Sequence, residues 1–195
     1  PSRILVPSSG DTTMSTRRTI LAGITASSLS GTQSHASATS RGQEIVEALV
    51  RRAADGNAAF TRGDMKAWSS HLPLADDILL MAPFGGQPSR GFESSDENLA
   101  KLSRNFTSGT TSFELLGAYV ADDLVVLAAI ERQVAEVGGL PEQDWSLRVT
   151  LVFRRRGSEW LLAHRHADPL VRHVGLAGAA EIARGMNLSN ASVFR

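Results

Sequence analysis

No cysteine occurs among the 195 residues of the chain. Disulfide bonds, thiolate catalysis and cysteine-ligated zinc are therefore excluded in any compartment. An excess of charge of one sign is also absent, because 20 Lys and Arg residues balance 20 Asp and Glu residues. Without net charge the chain has no long-range field that attracts polyanions, so we expect no nucleic-acid partner and no binding to an anionic membrane surface.

Long apolar runs are missing as well. The most apolar stretch near the N-terminus, Ile20 to Leu29, is short and interrupted by Ser, Thr and Gly residues. A stable membrane span needs about 20 consecutive apolar residues. We therefore predict no stable membrane span in this segment.

The segment of residues 14–38 resembles a twin-arginine signal peptide. A pair of arginines at 17–18 precedes the apolar stretch, and small residues at 36–38 follow it with the pattern of a cleavage site. The resemblance implies a bacterial protein exported to the periplasm or secreted, with a mature chain that starts near Thr39. A Ser- and Thr-rich leader with a chance arginine pair is the alternative. Residues 1–13 look like an upstream or artificial extension.

The rest of the sequence predicts one folded domain, residues 42–170, followed by a C-terminal tail, residues 171–195. Apolar residues recur at helical spacing over residues 43–62, which predicts an amphipathic helix with Arg52 on its outer side. The tail is rich in Gly and Ala, so it is a weak helix candidate or a loose extension.

Two further helices and a short strand are predicted next. Asp64 is placed to cap a second helix that ends near His71, and Ser95 is placed to cap a third that runs to Phe106. Between these helices, residues 78–81 form an apolar run that predicts a short buried strand.

An antiparallel sheet is predicted for residues 112–168. Its strands are four runs rich in β-branched and aromatic residues, separated by turn residues, at 113–120, 124–137, 145–154 and 160–168. The second run begins apolar on both faces, so its second face must also be covered, either by the helices or by another subunit. Helices followed by antiparallel strands are the order of an α+β fold.

Three phrases of the sequence resemble the SnoaL-like and ketosteroid-isomerase-like branch of the nuclear transport factor 2-like superfamily. They are NAAFTRGDMKAW from Asn57, LADDILLMAPFGG from Leu74 and RVTLVFRRRGSEWLLAHRH from Arg148. The resemblance covers about residues 43–168 and implies a curved antiparallel sheet wrapped around N-terminal helices, with a cone-shaped pocket open at one end. It further implies a homodimer and a small-molecule ligand, and we expect no cofactor.

The resemblance also argues against ketosteroid isomerisation. Isomerases of the family use a carboxylate base before the proline of the first strand, a tyrosine in the first helix and a protonated aspartate in the penultimate strand. The matching positions here are Ala82, Gly56 and Thr150. None of these side chains can move the proton or stabilise the oxyanion in that way.

The last predicted strand carries the candidate catalytic residues His164 and His166. In a regular strand they share a face with Trp160 and Leu162, which predicts that both imidazoles point inward. One interpretation is structural, with each imidazole hydrogen-bonded to neighbouring strands or to the first helix. The other is general acid/base catalysis near neutral pH. We expect no metal site, because two ligands on one strand do not complete a coordination shell.

Weaker candidates for the pocket wall are aromatic, apolar or basic side chains on the predicted helices and strands. They are Trp68, Met81, Tyr119, Trp145, Arg148 and Trp160. For Tyr119 core packing is the default, and for Arg148 a solvent or subunit contact. Two functions remain: a protein that binds a small apolar or aromatic molecule, or a cofactor-free lyase, cyclase or isomerase using His164 or His166. A pure dimerisation module would require the pocket to be filled.

Overall fold

A computed structural model of the chain describes residues 31–185, with side chains from residue 40 onward. The extension at 1–13 and most of the predicted signal peptide lie outside the described residues. The elements in chain order are α1 (Gly31–Thr61), α2 (Met65–His71), β1 (Leu74–Met81), β2 (Ser89–Arg90), α3 (Asp96–Ser103), β3 (Phe106–Val120), β4 (Leu124–Val137), β5 (Leu140–Asp144), β6 (Leu147–Arg156), β7 (Glu159–Pro169) and α4 (Gly175–Ala183).

The strands form one curved, unclosed sheet of seven strands in the order β2-β1-β7-β6-β4-β3, with β5 paired to β4 beyond this path. Neighbouring strands are antiparallel except β1 and β7, which are parallel. The helices α1 and α2 precede the sheet in the chain and pack on one side of it. The predicted α+β fold is therefore confirmed.

The core lies between the helices and one face of the sheet, called here the inner face. This face carries the alternate residues of β4 and β6 that are buried against Leu49 and Ala53 of α1; they are Val125, Leu127, Ala129, Leu147, Val149, Leu151 and Phe153. The residues between them point to the opposite, outer face and are more exposed. Strict alternation on β4 and β6 follows from the period of two along a strand.

The helix boundaries agree in part with the sequence. Asp64 caps α2 by accepting a hydrogen bond from the Ala67 backbone N–H at 3.0 Å, as predicted. Ser95 caps α3 in the same way, but α3 ends at Ser103 instead of Phe106, because Phe106 already begins β3. The first helix is longer than predicted, since α1 begins at Gly31.

Arg52 is half-buried, which corrects the prediction that it lies on the outer side of α1. Its Nε donates to the carbonyl oxygen of His71 at 3.0 Å, and its Nη2 donates to that of Trp160 at 3.0 Å. One guanidinium thus connects α1 to the end of α2 and to β7. Burial lowers the pKa of the Arg52 guanidinium, which remains charged because arginine starts from so high a value.

In the C-terminal half an extra strand differs from the sequence prediction, whereas the tail forms a helix, one of its two predicted alternatives. The loop predicted after β4 is a tight turn at Gly138 and Gly139 that leads into the extra strand β5. Both glycines have positive φ, 61° and 78°, as a two-residue hairpin turn of type I′ requires. The tail contains the helix α4, none of whose residues is buried.

None of the helices within residues 31–185 is long and apolar enough to cross a membrane.

Candidate functional site

A cavity of about 260 Å³ lies at the end of the inner face where β4, β5 and β6 meet. Its wall comes from the loop after β1, the start of β3, the end of β4, the segment between β5 and β6, and the chain after β7. The lining residues are Pro83, Phe84, Phe106, Gln133, Val137, Gln143, Asp144, Trp145, Ser146, Leu147, Pro169, Leu170 and Val171. The wall is therefore mostly apolar, with a few amide and hydroxyl groups.

Hydrogen bonds hold the indole of Trp145 in this wall. Its Nε1–H donates to the carbonyl oxygen of Ala135 at 3.1 Å, and its own carbonyl oxygen accepts from Gln133 Nε2 at 2.8 Å. The Thr61 hydroxyl of α1 lies 3.4 Å from Gln133 Oε1. These contacts join the end of α1, β4 and the segment before β6, so the cavity wall is tied to the fold on both sides.

Phe84 forms the outer rim of the cavity. Its side chain is 71% exposed, and its ring stands edge-on to Trp145 at 6.3 Å between centroids. Phe84 is followed by Gly85 and Gly86, both with positive φ. An exposed aromatic ring beside a partly buried one is typical of the mouth of an apolar binding site.

Asp144 places a negative charge on the same rim. Hydrogen bonds from the side chain and then the backbone of Ser146 stabilise the carboxylate and lower the pKa of Asp144. The backbone N–H of Ser146 lies 2.7 Å from Oδ1 of Asp144. The rim is therefore anionic at neutral pH.

A buried ion pair lies inward from the cavity on the inner face. Arg165 Nη2 of β7 lies 2.5 Å from Glu131 Oε2 of β4. The side chain of Glu131 is 4% exposed and that of Arg165 is 25% exposed. Glu131 is paired in register with the lining residue Leu147. The next residue of β4 on the inner face is Gln133, which also lines the cavity.

This ion pair was not predicted from the sequence, although the sequence contains one signal for it. Glu131 follows Val125, Leu127 and Ala129 at the same period of two, so extending the alternation would have placed a carboxylate among core residues. For Arg165 there was no such signal, because its face depends on an irregularity in β7.

Asn57 of α1 is another buried polar residue that was not predicted from the sequence. It is 8% exposed, and its Nδ2 has no hydrogen-bond partner. The backbone carbonyl oxygen of Asn57 accepts a hydrogen bond from the hydroxyl of Thr61 at 2.9 Å. A buried amide without a partner is costly, so such a group invites a functional explanation.

The histidines lie on the outer face, which corrects the expected inward orientation. Phe153 pairs with Leu162, but Val152 pairs with His164, so Ala163 is an extra residue that forms a β-bulge. The bulge reverses the alternation: Arg165 pairs with the buried Leu151 on the inner face, and the histidines face outward. Whether they take part in any chemistry stays a prediction.

The outer face holds the histidines in a polar cluster. His164 Nδ1 lies 2.9 Å from the carbonyl oxygen of Leu79 on β1. His166 Nε2 lies 3.3 Å from Asp168, which also lies 3.5 Å from Arg148. Met81 pairs in register with His166 on this face. Four of the predicted site residues, His164, His166, Arg148 and Met81, therefore lie together on the outer face and not in the cavity wall.

The remaining candidates lie in different places. Tyr119 is 70% exposed and pairs with Val126 on the outer face, so it is not packed in the core. Trp68 packs edge-on to Phe60 at 5.5 Å, and Phe60 in turn contacts the lining residue Phe106 at 4.4 Å between ring centroids. Trp160 packs against the core, with Arg155 at 6.0 Å from its ring centroid. Of the eight predicted site residues, only Trp145 lines the cavity.

The three positions that match the isomerase residues lie in different parts of the fold. Gly56 lies at a close helix contact, where a Cβ would come within 2.6 Å of Leu72 Cδ1. Ala82 is exposed, and Thr150 pairs with His166 on the outer face. Within residues 31–185 no group of three or more His, Asp or Glu side chains is placed to hold a metal ion.

Fold and cavity together define a nuclear transport factor 2-like protein: an α+β domain with N-terminal helices inside a curved, unclosed sheet. The family model of the SnoaL-like domain matches residues 46–171. The chain belongs to this family. No curated protein matches the sequence at a significant level.

Solved structures share this fold at low sequence identity. A protein from Novosphingobium aromaticivorans DSM 12444, provisionally named a scytalone dehydratase, is 9% identical with a TM-score of 0.57; the match covers 69% of this chain and 99% of that one. A nuclear transport factor 2-like protein from Streptomyces avermitilis, provisionally named a dehydratase, is 21% identical with a TM-score of 0.52, covering 65% of this chain and 97% of that one. A third, with a cystatin-like fold from Novosphingobium aromaticivorans, is 16% identical with a TM-score of 0.52, covering 80% and 97%.

Proposed function

We propose that the protein binds a small apolar or aromatic molecule in the cavity on the inner face. The observation that carries this proposal is the wall itself, in which Trp145, Phe84 and Phe106 surround a volume of about 260 Å³. Cavities of roughly 300–1,000 Å³ hold drug-sized ligands. A volume slightly below this range favours a ligand of one or two rings.

A cofactor-free lyase, cyclase or isomerase is the second candidate. It is favoured by the Glu131 carboxylate, which is buried beside the cavity and could act as a general base. Two proteins of the same fold are provisionally named dehydratases, although at their identities the likeness concerns the fold. In this candidate Glu131 replaces the outer-face histidines as the acid/base group.

The experiment that tests binding fills the cavity with a side chain. Val137→Trp places an indole in the wall, whereas Glu136→Trp, the control, places the same indole on the exposed neighbouring position. We expect 2-naphthol to bind the unchanged protein and the control in calorimetry, and to lose at least about tenfold in affinity with Val137→Trp, because the ligand and the indole compete for one space. Equal affinity in all three proteins would contradict the proposal.

Two further properties belong to the proposed function. We infer that the protein is exported, on the order of arginine pair, apolar stretch and small residues within 14–38. N-terminal sequencing of protein from the cell envelope should find a mature start near Thr39, and replacing both arginines of the pair by lysine should block export. An intact leader on cytoplasmic protein would contradict export. We also infer a homodimer through the outer face of the sheet.

A further inference from the structure

We propose that the cavity selects a neutral ligand with a hydrogen-bond donor and an acceptor side by side, held at its inner end by Glu131, Arg165 and Asn57. This inference rests on the proposed binding function and specifies the chemistry of the ligand. Its basis is a group of polar side chains, called here the inner end, that adjoins the lining residues Gln133 and Leu147 on the core side.

The first step is the position of the ion pair. Leu147 and Gln133 line the cavity. Glu131 is paired with Leu147 on the neighbouring strand, and it is the inner-face residue of β4 that precedes Gln133. Successive inner-face residues of one strand lie roughly 7 Å apart. On β7, Arg165 and Pro169 both lie on the inner face with one inner-face residue between them, and Pro169 also lines the cavity. Glu131 therefore adjoins the lining residues on the core side, and the ion pair brings the guanidinium of Arg165, which is 25% exposed, to the same place.

The second step is the position of Asn57. The start of α1 contacts the end of β3, since a Cβ on Gly42 would lie 3.8 Å from Val120, and its end contacts Gln133 of β4 through Thr61. The helix α1 therefore runs in the same direction as β4. Asn57 precedes Thr61 by one helical turn, about 6 Å. This rise is close to the distance along β4 between Gln133 and the preceding inner-face residue, Glu131. Asn57 thus lies at the level of the ion pair.

The third step is the charge of this inner end. Glu131 and Arg165 compensate each other, so the inner end is neutral as a whole but contains strong hydrogen-bonding groups. A carboxylate ligand would meet Glu131 and a cationic ligand would meet Arg165, and each would disturb the pair. A purely apolar ligand would leave Nδ2 of Asn57 without a partner.

The ligand that satisfies all three groups is neutral and bears a donor next to an acceptor, as a primary amide or a hydroxyl beside a carbonyl does. Its donor is received by the Glu131 carboxylate. Its acceptor receives hydrogen bonds from Asn57 Nδ2 and the Arg165 guanidinium. Its apolar body then fills the space between Trp145 and Phe84.

The test uses three probes of one shape and different charge: 2-naphthamide, 2-naphthoate and 2-naphthamidinium. We expect the unchanged protein to bind the amide at least about tenfold more tightly than either ion. With Glu131→Gln the preference should move toward the naphthoate, because Arg165 then lacks its partner. With Arg165→Met it should move toward the naphthamidinium, and the double variant should prefer the amide again.

The outcomes distinguish this inference from the proposed function. If all three probes bind, if Val137→Trp abolishes binding and if the order of affinities stays the same in every variant, the cavity binds ligands but the neutral selection is overturned. If none of the probes binds the folded protein, the proposed function is overturned as well. A purely structural ion pair would change stability without reversing the charge preference.

A second measurement does not depend on whether the variants fold. In the unchanged protein, the side-chain NH₂ resonances of Asn57 should shift when 2-naphthamide is added, because Nδ2 gains an acceptor. The side-chain resonances of Gln43, an exposed residue of the same helix, serve as the control. Unshifted Asn57 resonances with saturating amide would overturn the inference.

Discussion

A single extra residue, Ala163, decides which polar groups reach the inside of the domain. The bulge turns Arg165 inward to the Glu131 carboxylate and turns His164 and His166 outward. His164 then bonds the backbone of β1, whereas His166 shares Asp168 with Arg148 near the surface. The two histidines therefore contribute to different degrees to stability and are distant from the cavity.

Substituting each histidine by phenylalanine tests this assignment. His164→Phe removes the bond to the Leu79 carbonyl and should cost about 1 kcal/mol of unfolding free energy, a fall of about 2–4 °C in Tm. His166→Phe should cost less than about 0.5 kcal/mol, because its pair is exposed and Asp168 keeps Arg148. Thermal melts with and without 2-naphthol should give the same ligand-induced shift in both variants. Loss of that shift in either would place the histidine in the binding site.

At the residue scale the sequence predicted the chemistry of individual positions better than their faces. Trp145 lies in the cavity wall, where alternation with Leu147 suggested it. The faces of His164 and Arg165 were not predictable, because a bulge depends on pairing with β6 and β1 and leaves no local pattern. The unpartnered amide of Asn57 is likewise a property of the packed state only.

Among the elements, β5 and its turn have the most direct consequence for the cavity. The turn at Gly138 and Gly139 returns the chain along β4, and β5 then ends at Asp144, directly before Trp145. Turn glycines were visible in the sequence, but β5 contains Pro, Glu, Gln and Asp, which rarely form strands. Pairing with β4 overrides this propensity, which is why the sequence predicted a loop there.

Valine at a turn glycine tests the role of β5. Gly139→Val forces a β-branched residue into positive φ and should cost about 1–3 kcal/mol. Gly157→Val does the same in the turn between β6 and β7, which contributes no residue to the cavity wall. We expect similar losses of Tm in both variants, but calorimetry should show weaker binding of 2-naphthol only with Gly139→Val. Equal affinity in the two variants would show that β5 does not hold the wall in place.

For the whole molecule, the outer face of the sheet is a surface with exposed apolar side chains. Tyr119, Leu124 and Val134 are exposed there, beside the half-buried Val126 and Val152. Exposed apolar side chains on several neighbouring strands are typical of a subunit interface. The general architecture was predictable from the sequence because element order and apolar periods are local, whereas the interface still rests on exposure and on the resemblance.

We predict a homodimer through this face. Sedimentation at micromolar concentration should give the mass of a dimer for the unchanged chain and of a monomer for Tyr119→Glu, because a carboxylate would be buried without a partner. Leu176→Glu in α4, at a residue that is 92% exposed and not part of the sheet, should leave the dimer intact. A monomeric unchanged chain would contradict the prediction.

We propose that a ligand binds in the cavity beside Trp145 and not at the histidine cluster of the outer face. The most direct measurement follows the indole N–H resonances of the three tryptophans and the imidazole resonances of His164 and His166 during titration with 2-naphthol. We predict that the Trp145 resonance moves most, because its indole lies in the cavity wall, while the resonances of Trp160 and of both histidines do not move. Movement of the histidine resonances with an unmoved Trp145 would contradict it.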